Sequence, residues 1–201
     1  MVEILAIVFT FICVWLTTKN KVASWPVGII GVILFLVLFF QVQLYAEVIT
    51  QIVFLLQSFY GWYNWSRLED KPPAPITRLT TKEKLIWSSI ILITTGIMYQ
   101  VLSSYTNASI PLVDSFTTSI SLIANWLLAK RKLENWWLWI FVDLIYVGMF
   151  AYKMLYLTSG LYFVFFFMSI HGLYRWKEEL NSKYGGSPHH QESSTIENNA
   201  K

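Results

Sequence analysis

The chain has 201 residues, of which 55% are hydrophobic and only 13% charged, with a formal net charge of +3. Soluble domains carry about 25% charged residues, so this composition excludes a globular cytoplasmic enzyme, a nucleic-acid module and a disordered chain. The single cysteine, Cys13, lies in an apolar run, which excludes an intrachain disulfide and a cysteine-based metal site.

A helix needs about 20 mostly apolar residues to cross a bilayer. Seven such runs are predicted in chain order: 2–18, 22–40, 44–66, 85–104, 112–128, 135–152 and 155–176. The first is read as a retained helix, not a signal peptide, because its start carries Glu3 and no Lys or Arg and the positive charge follows the run. Residues 1–66 are expected to form a three-helix bundle. Residues 67–111 supply a basic cytoplasmic loop with Pro72, Pro73 and Pro75, a linker helix and an outer loop. Residues 112–177 form a second three-helix bundle, and 178–201 a disordered cytoplasmic tail marked by Gly185, Gly186 and Pro188. His189-His190 in that tail reads as solvated, not metal-binding. With seven spans, 14 of the 15 Lys and Arg fall on the side of the C-terminus and only Lys153 on the other. Basic loops stay in the cytoplasm, so the N-terminus is expected outside and the C-terminus inside.

The chain matches itself at an offset of 111 residues. Tyr60-Gly61-Trp62-Tyr63-Asn64-Trp65 lines up with His171-Gly172-Leu173-Tyr174-Arg175-Trp176, sharing Gly, Tyr and Trp. The same ungapped register pairs Trp25 with Trp136, Phe39 with Phe150, Phe54 with Phe165 and Ser58 with Ser169, giving ten identities over 41 positions. It extends upstream to Trp15 with Trp126 and Lys19 with Lys130. Common membrane composition does not impose one gapless register across three helices and their basic loops. Repeated three-helix units are therefore expected. The unmatched fourth span restores the direction of the second copy, which makes the copies parallel. The expected fold is an all-α integral membrane protein of seven transmembrane helices, three plus one plus three, in the SWEET arrangement. Such folds hold substrate near the bilayer midplane at the repeat interface.

Span six carries Trp136, Trp139, Asp143, Tyr146 and Phe150 at helical spacings that place them on one face. Asp143 lies at mid-span, where a carboxylate costs about 2.5–3.5 kcal/mol on insertion scales and commonly marks a site or pathway. A buried Asp paired with a hydroxyl or amide is the plainer alternative. Trp139 and Tyr146 flank it by a turn on each side and could receive a flat organic cation. Span three presents Glu47, Gln51, Phe54, Ser58, Gly61 and Trp65; span seven presents Thr158, Tyr162, Phe165, Ser169, Gly172 and Trp176. Gln57 and Asn125 add amides at membrane depth. Ser58, Ser169 and the glycines are assigned to helix packing, and Glu47 to the outer boundary. Trp62, Trp65, Trp136, Trp137 and Trp176 are assigned to the cytoplasmic aromatic belt. Asp143 corresponds to Val32, Trp139 to Gly28 and Tyr146 to Phe35, so one half of the site is polar and the other apolar.

These residues resemble the PnuC family of bacterial vitamin transporters. The resemblance rests on Trp25-Pro26-Val27-Gly28, on the run from Gln57 to Trp65, on Glu134-Asn135-Trp136 through Asp143, and on Lys153 through Thr158 followed by Leu161-Tyr162. It covers all but the tail. It implies facilitated diffusion of nicotinamide riboside through the inner membrane for NAD biosynthesis, with metabolic trapping by a cytoplasmic kinase. It also implies functional roles at Gln51, Gln57, Trp139, Asp143 and Tyr162. Taken together, the candidate substrate-binding residues are Gln51, Phe54, Gln57, Asn125, Trp139, Asp143, Tyr146 and Tyr162, with no catalytic residue, metal or cofactor. The expected partners are the lipid bilayer and a small vitamin; nucleic acid is excluded, and a homo-oligomer is left open. Related groups in the family take thiamin and riboflavin. A thiazolium would suit Asp143 as well as a pyridinium does, while neutral riboflavin gains less.

Two other classes compete. An intramembrane enzyme would need Asp143 and His171 to act with an unidentified nucleophile, and the chain holds neither HExxH nor GxSxG. A sugar-carrying SWEET would share the fold, but its common Pro-Gln pair is absent. The Asn107-Ala108-Ser109 sequon would matter only in a eukaryotic secretory route.

Overall fold

The computed structural model describes residues 2–41, 43, 45–67, 75–105, 110–152, 154 and 156–184. Lys153, the Asn107 sequon, Pro72, Pro73 and His189-His190 lie outside these. The described residues form seven helices: α1 Val2–Thr18, α2 Ser24–Gln41, α3 Tyr45–Ser66, α4 Thr81–Tyr105, α5 Pro111–Ala129, α6 Asn135–Tyr152 and α7 Tyr156–Tyr184. Each of the seven expected runs contains one helix; α2 starts two residues later than expected and α4 four residues earlier. By length and composition, α2, α4, α5 and α6 could each cross a membrane, and α1 is an apolar helix one residue shorter than α2. The other two carry the polar residues. In α3 these are Glu47, Gln51, Gln57, Ser58 and Asn64, and α7 ends in the charged stretch from Arg175 to Lys183.

Local chemistry sets the helix ends. Thr80 and Glu83 form a reciprocal cap at the start of α4: the Glu83 amide donates to Thr80 Oγ1 at 3.2 Å, and the Thr80 amide to Glu83 Oε2 at 2.8 Å. Pro111 opens α5, where its missing N–H would have had no helical partner. Four non-glycine residues are left-handed: Asn20 (φ 54°), Gln43 (φ 60°), Arg131 (φ 52°) and Met154 (φ 62°). They fall into two pairs separated by 111 positions. The turns around them repeat too. Lys21 N donates to the Leu16 carbonyl at 3.1 Å, and Lys132 N to the Leu127 carbonyl at 2.9 Å.

Helix α2 packs between α1 and α3, and α6 between α5 and α7. The two units meet through α3 against α5 and α1 against α7, again equivalent pairs, while α4 packs on α5. Their basic ends converge on four tryptophans. Trp25 meets Trp65 edge-on at 5.4 Å, Trp136 meets Trp176 edge-on at 5.6 Å, and Trp65 and Trp176 face one another at 6.0 Å. Gly61 and Gly172 make room, since a Cβ at either would collide with the ring of Trp25 or Trp136. This corrects the expectation of an aromatic belt. Trp65, Trp136 and Trp176 are only 0%, 2% and 0% exposed, and only Trp62 and Trp137 face outward. The glycines admit Trp25 and Trp136, Trp65 and Trp176 pack against them, and burial of so much apolar area outweighs the interfacial preference.

The same end is covered by the chain entering α4. Thr77 N donates to the Arg131 carbonyl at 3.1 Å and the Thr77 carbonyl accepts from Leu133 N at 2.9 Å, a short parallel bridge. Ile76 thereby reaches the tryptophan cluster, and Leu79 N donates to Glu134 Oε2 at 2.9 Å. Arg131 is buried over the Trp65 ring at 4.3 Å. That burial pushes its guanidinium below the usual range, with Glu179 opposing the shift. Helix α7 also runs past the expected start of the tail, to Tyr184. No Gly or Pro stands between Gly172 and Gly185 to end it sooner. Leu180 packs on the tryptophan cluster, and Glu179 accepts from Asn20 Nδ2 at 3.1 Å.

Candidate functional site

The centre of α6 and the facing turn of α7 bring three of the expected residues together. Asp143, the ninth residue of an 18-residue helix, is 4% exposed, and its Oδ2 accepts a hydrogen bond from Ser169 Oγ at 2.9 Å. One turn farther along α6, Tyr146 lies 4.6 Å from Tyr162 of α7, ring to ring. Tyr162 stacks on Phe150 at 5.2 Å with an interplanar angle of 10°, and meets Phe165 edge-on at 5.9 Å. The result is one carboxylate at the foot of an aromatic wall. Asp143 and Glu47 of α3 both lie within electrostatic range of Tyr162.

Helix α5 packs on α6 beside this group. Its buried hydroxyls are Ser115, Thr117, Ser119 and Ser121. Thr117 and Ser119 return their protons to carbonyls one turn back, at 2.9 and 2.8 Å. The Tyr146 hydroxyl faces Thr117 and Ser121. Ser121 Oγ is buried and completes no hydrogen bond among the described residues, so it stands near the Tyr146 hydroxyl outside bonding geometry. Buried polar atoms are rarely left so.

The remaining candidates divide. Asn125 Nδ2 donates to Gln57 Oε1 at 2.9 Å and Gln57 Nε2 to the Leu122 carbonyl at 3.2 Å, so this pair joins α3 to α5. Gln51, Phe54 and Trp139 are half-buried and make no hydrogen bond or ring contact to Asp143 among the described residues. Gln51 and Phe54 are the positions equivalent to Tyr162 and Phe165, and Phe35 stacks on Phe39 at 5.7 Å where Tyr146 meets Phe150 at 5.8 Å. Ser169, Phe150 and the α5 hydroxyls were missed as site residues. Ser169 sits on the same helical stripe as Tyr162, but its spacing did not reveal that a carboxylate faced it. The alternation of Ser115, Thr117, Ser119 and Ser121 along one helix was a readable signal. Among the described residues no group of three His, Cys, Asp or Glu could hold a metal ion.

A family model described as nicotinamide mononucleotide transporter matches residues 1–178. The chain belongs to this family. Curated relatives named nicotinamide riboside transporter PnuC include one from Escherichia coli strain K12, 27% identical over 87% of this chain and 84% of its own length. Another, from Haemophilus influenzae, is 26% identical over 82% of this chain and 74% of its own. A solved structure described as the crystal structure of the vitamin B3 transporter PnuC shares the fold, with a TM-score of 0.73, 22% identity, and coverage of 89% of this chain and 81% of that one. The chain is thus a multi-pass membrane protein of the PnuC family, whose members are transporters and not enzymes. The intramembrane-enzyme alternative falls with that assignment.

Proposed function

We propose that the protein carries nicotinamide riboside across the bacterial inner membrane by facilitated diffusion, with N-terminus outside, and that a cytoplasmic kinase traps the product. The two three-helix units would act as parallel copies enclosing the substrate between them. The observation that carries this reading is Asp143, held by Ser169 beneath the Tyr146, Phe150 and Tyr162 rings. A pyridinium ring is flat and cationic, and charge and cation–π attraction would both favour it there. The unsatisfied Ser121 hydroxyl offers a partner for a ribose hydroxyl.

The family model's description names the mononucleotide, whereas the curated relatives' names give the riboside. Electrostatics favours the riboside here. The mononucleotide adds a phosphate, which Asp143 and Glu47 would repel. No Lys or Arg stands at positions 22–66, 85–129, 133–152 or 154–174 to offset that. A thiazolium satisfies the same charge, which keeps thiamin as the second reading. The test is calorimetric titration of purified protein with nicotinamide riboside, its mononucleotide, thiamin and riboflavin. The expected result is binding of the riboside in preference to the other three. Tighter binding of thiamin would transfer the assignment, and no binding or counterflow with any of them would end it.

A further inference from the structure

Away from the central site, α1 and α7 leave an apolar groove of about 390 Å³ between them, lined chiefly by Trp15, Phe163, Phe167, Met168 and His171. It opens on the outer face, where Phe11, Ile12, Trp15, Phe163 and Phe167 are exposed and acyl chains are the solvent. The equivalent place between α3 and α5 carries a tyrosine over its tryptophan. There Tyr60 stacks on Trp126 at 4.9 Å with an interplanar angle of 16°. Shifted by 111 positions, Tyr60 becomes His171 and Trp126 becomes Trp15. The imidazole is exposed and lines the groove beside Trp15, where the other unit stacks a tyrosine on its tryptophan.

The groove ends among cations. Lys19 Nζ sits 3.5 Å above the Trp15 ring, and exposed Arg175 follows His171 by one turn. Exposed Lys21 and Lys177 lie at the same end. Of the two nearby carboxylates, Glu179 accepts from Asn20 Nδ2 and Glu178 stands beyond Arg175. From this apolar slot with a basic rim, we propose that the groove is a binding site for one acyl chain of an anionic phospholipid, with its headgroup held by Lys19 and Arg175. An apolar slot alone would take any lipid; the rim selects the negatively charged ones, since a cation near the surface attracts anionic headgroups.

Native mass spectrometry of the full chain in detergent, titrated with phosphatidylglycerol or phosphatidylcholine, tests this. The wild type should retain one phosphatidylglycerol in preference to phosphatidylcholine. His171→Tyr, which places over Trp15 the tyrosine that the other unit stacks on Trp126, should fill the slot and lose that adduct while keeping its melting temperature. Lys19→Gln leaves the slot open and should weaken phosphatidylglycerol binding by about fivefold, the size expected for one near-surface cation. Equal retention of the two lipids, or unchanged phosphatidylglycerol binding in both variants, would overturn the proposal. So would a change of oligomeric state in His171→Tyr without loss of lipid, because the groove would then seat a second copy of the chain.

Discussion

At the scale of single residues, Asp143 separates the two halves of the molecule. Its equivalent is Val32, while the serine that binds it, Ser169, has an equivalent serine at Ser58. A serine needed only for packing would not require a carboxylate opposite it. Asp143→Ala is therefore expected to weaken binding of nicotinamide riboside by about tenfold or more, the usual loss for a charge-assisted contact. Expression should be retained, because burying a carboxylate in the bilayer is costly in itself. Unchanged affinity in a folded variant, measured by calorimetry, would remove Asp143 from the site. Spacing alone placed Asp143, Tyr146 and Phe150 on one face. It could not reveal that Gln57 and Asn125 bind each other, because that depends on how closely α3 approaches α5.

Among the elements, the tryptophan cluster shows how far a composition rule reaches. Trp near a span end ordinarily sits among headgroups, and on that rule Trp65, Trp136 and Trp176 were placed at the surface. For Trp136 what changes the position is a glycine on the neighbouring helix, Gly172. Trp65 and Trp176 pack on the rings so admitted and donate their indole N–H groups to the Ala129 and Thr17 carbonyls. Gly172→Ala should drive a methyl group into the Trp136 ring and cost about 1–3 kcal/mol, and Gly61→Ala should do the same against Trp25. Thermal unfolding in detergent would measure this. A melting temperature unchanged in both would show that the rings can move aside. The helix starts, by contrast, were legible: the runs 2–18 and 135–152 match α1 and α6. The C-terminal end of α7 was less so, because its last turns are polar and their docking against Asn20 and the tryptophans is a tertiary effect.

For the molecule as a whole, the 111-residue register is visible in sequence identities and again in backbone geometry, from the left-handed pairs to the turns that hold them. That much could be read because backbone turns follow local sequence. No ladder of acidic residues leads through the spans, so transport is expected to run without coupling to protons. Proteoliposomes lacking any kinase should equilibrate nicotinamide riboside and stop, with or without an imposed proton gradient; uphill accumulation would contradict this.

The Thr77 bridge breaks the correspondence in a different manner. It bonds the Leu133 amide, while the equivalent amide, that of Val22, forms no such strand contact among the described residues. The turn before α6 thus has a backbone tether from the segment leading to α4, whereas the turn before α2 is held through side chains, by Asn20 on Glu179 and Trp176 on the Thr17 carbonyl. Amide hydrogen exchange should be slower at Leu133 than at Val22, and equal rates would show that the tether holds nothing. A difference in rates would mean that the duplicated frame is stiffened on one side only, by a segment that the other copy lacks.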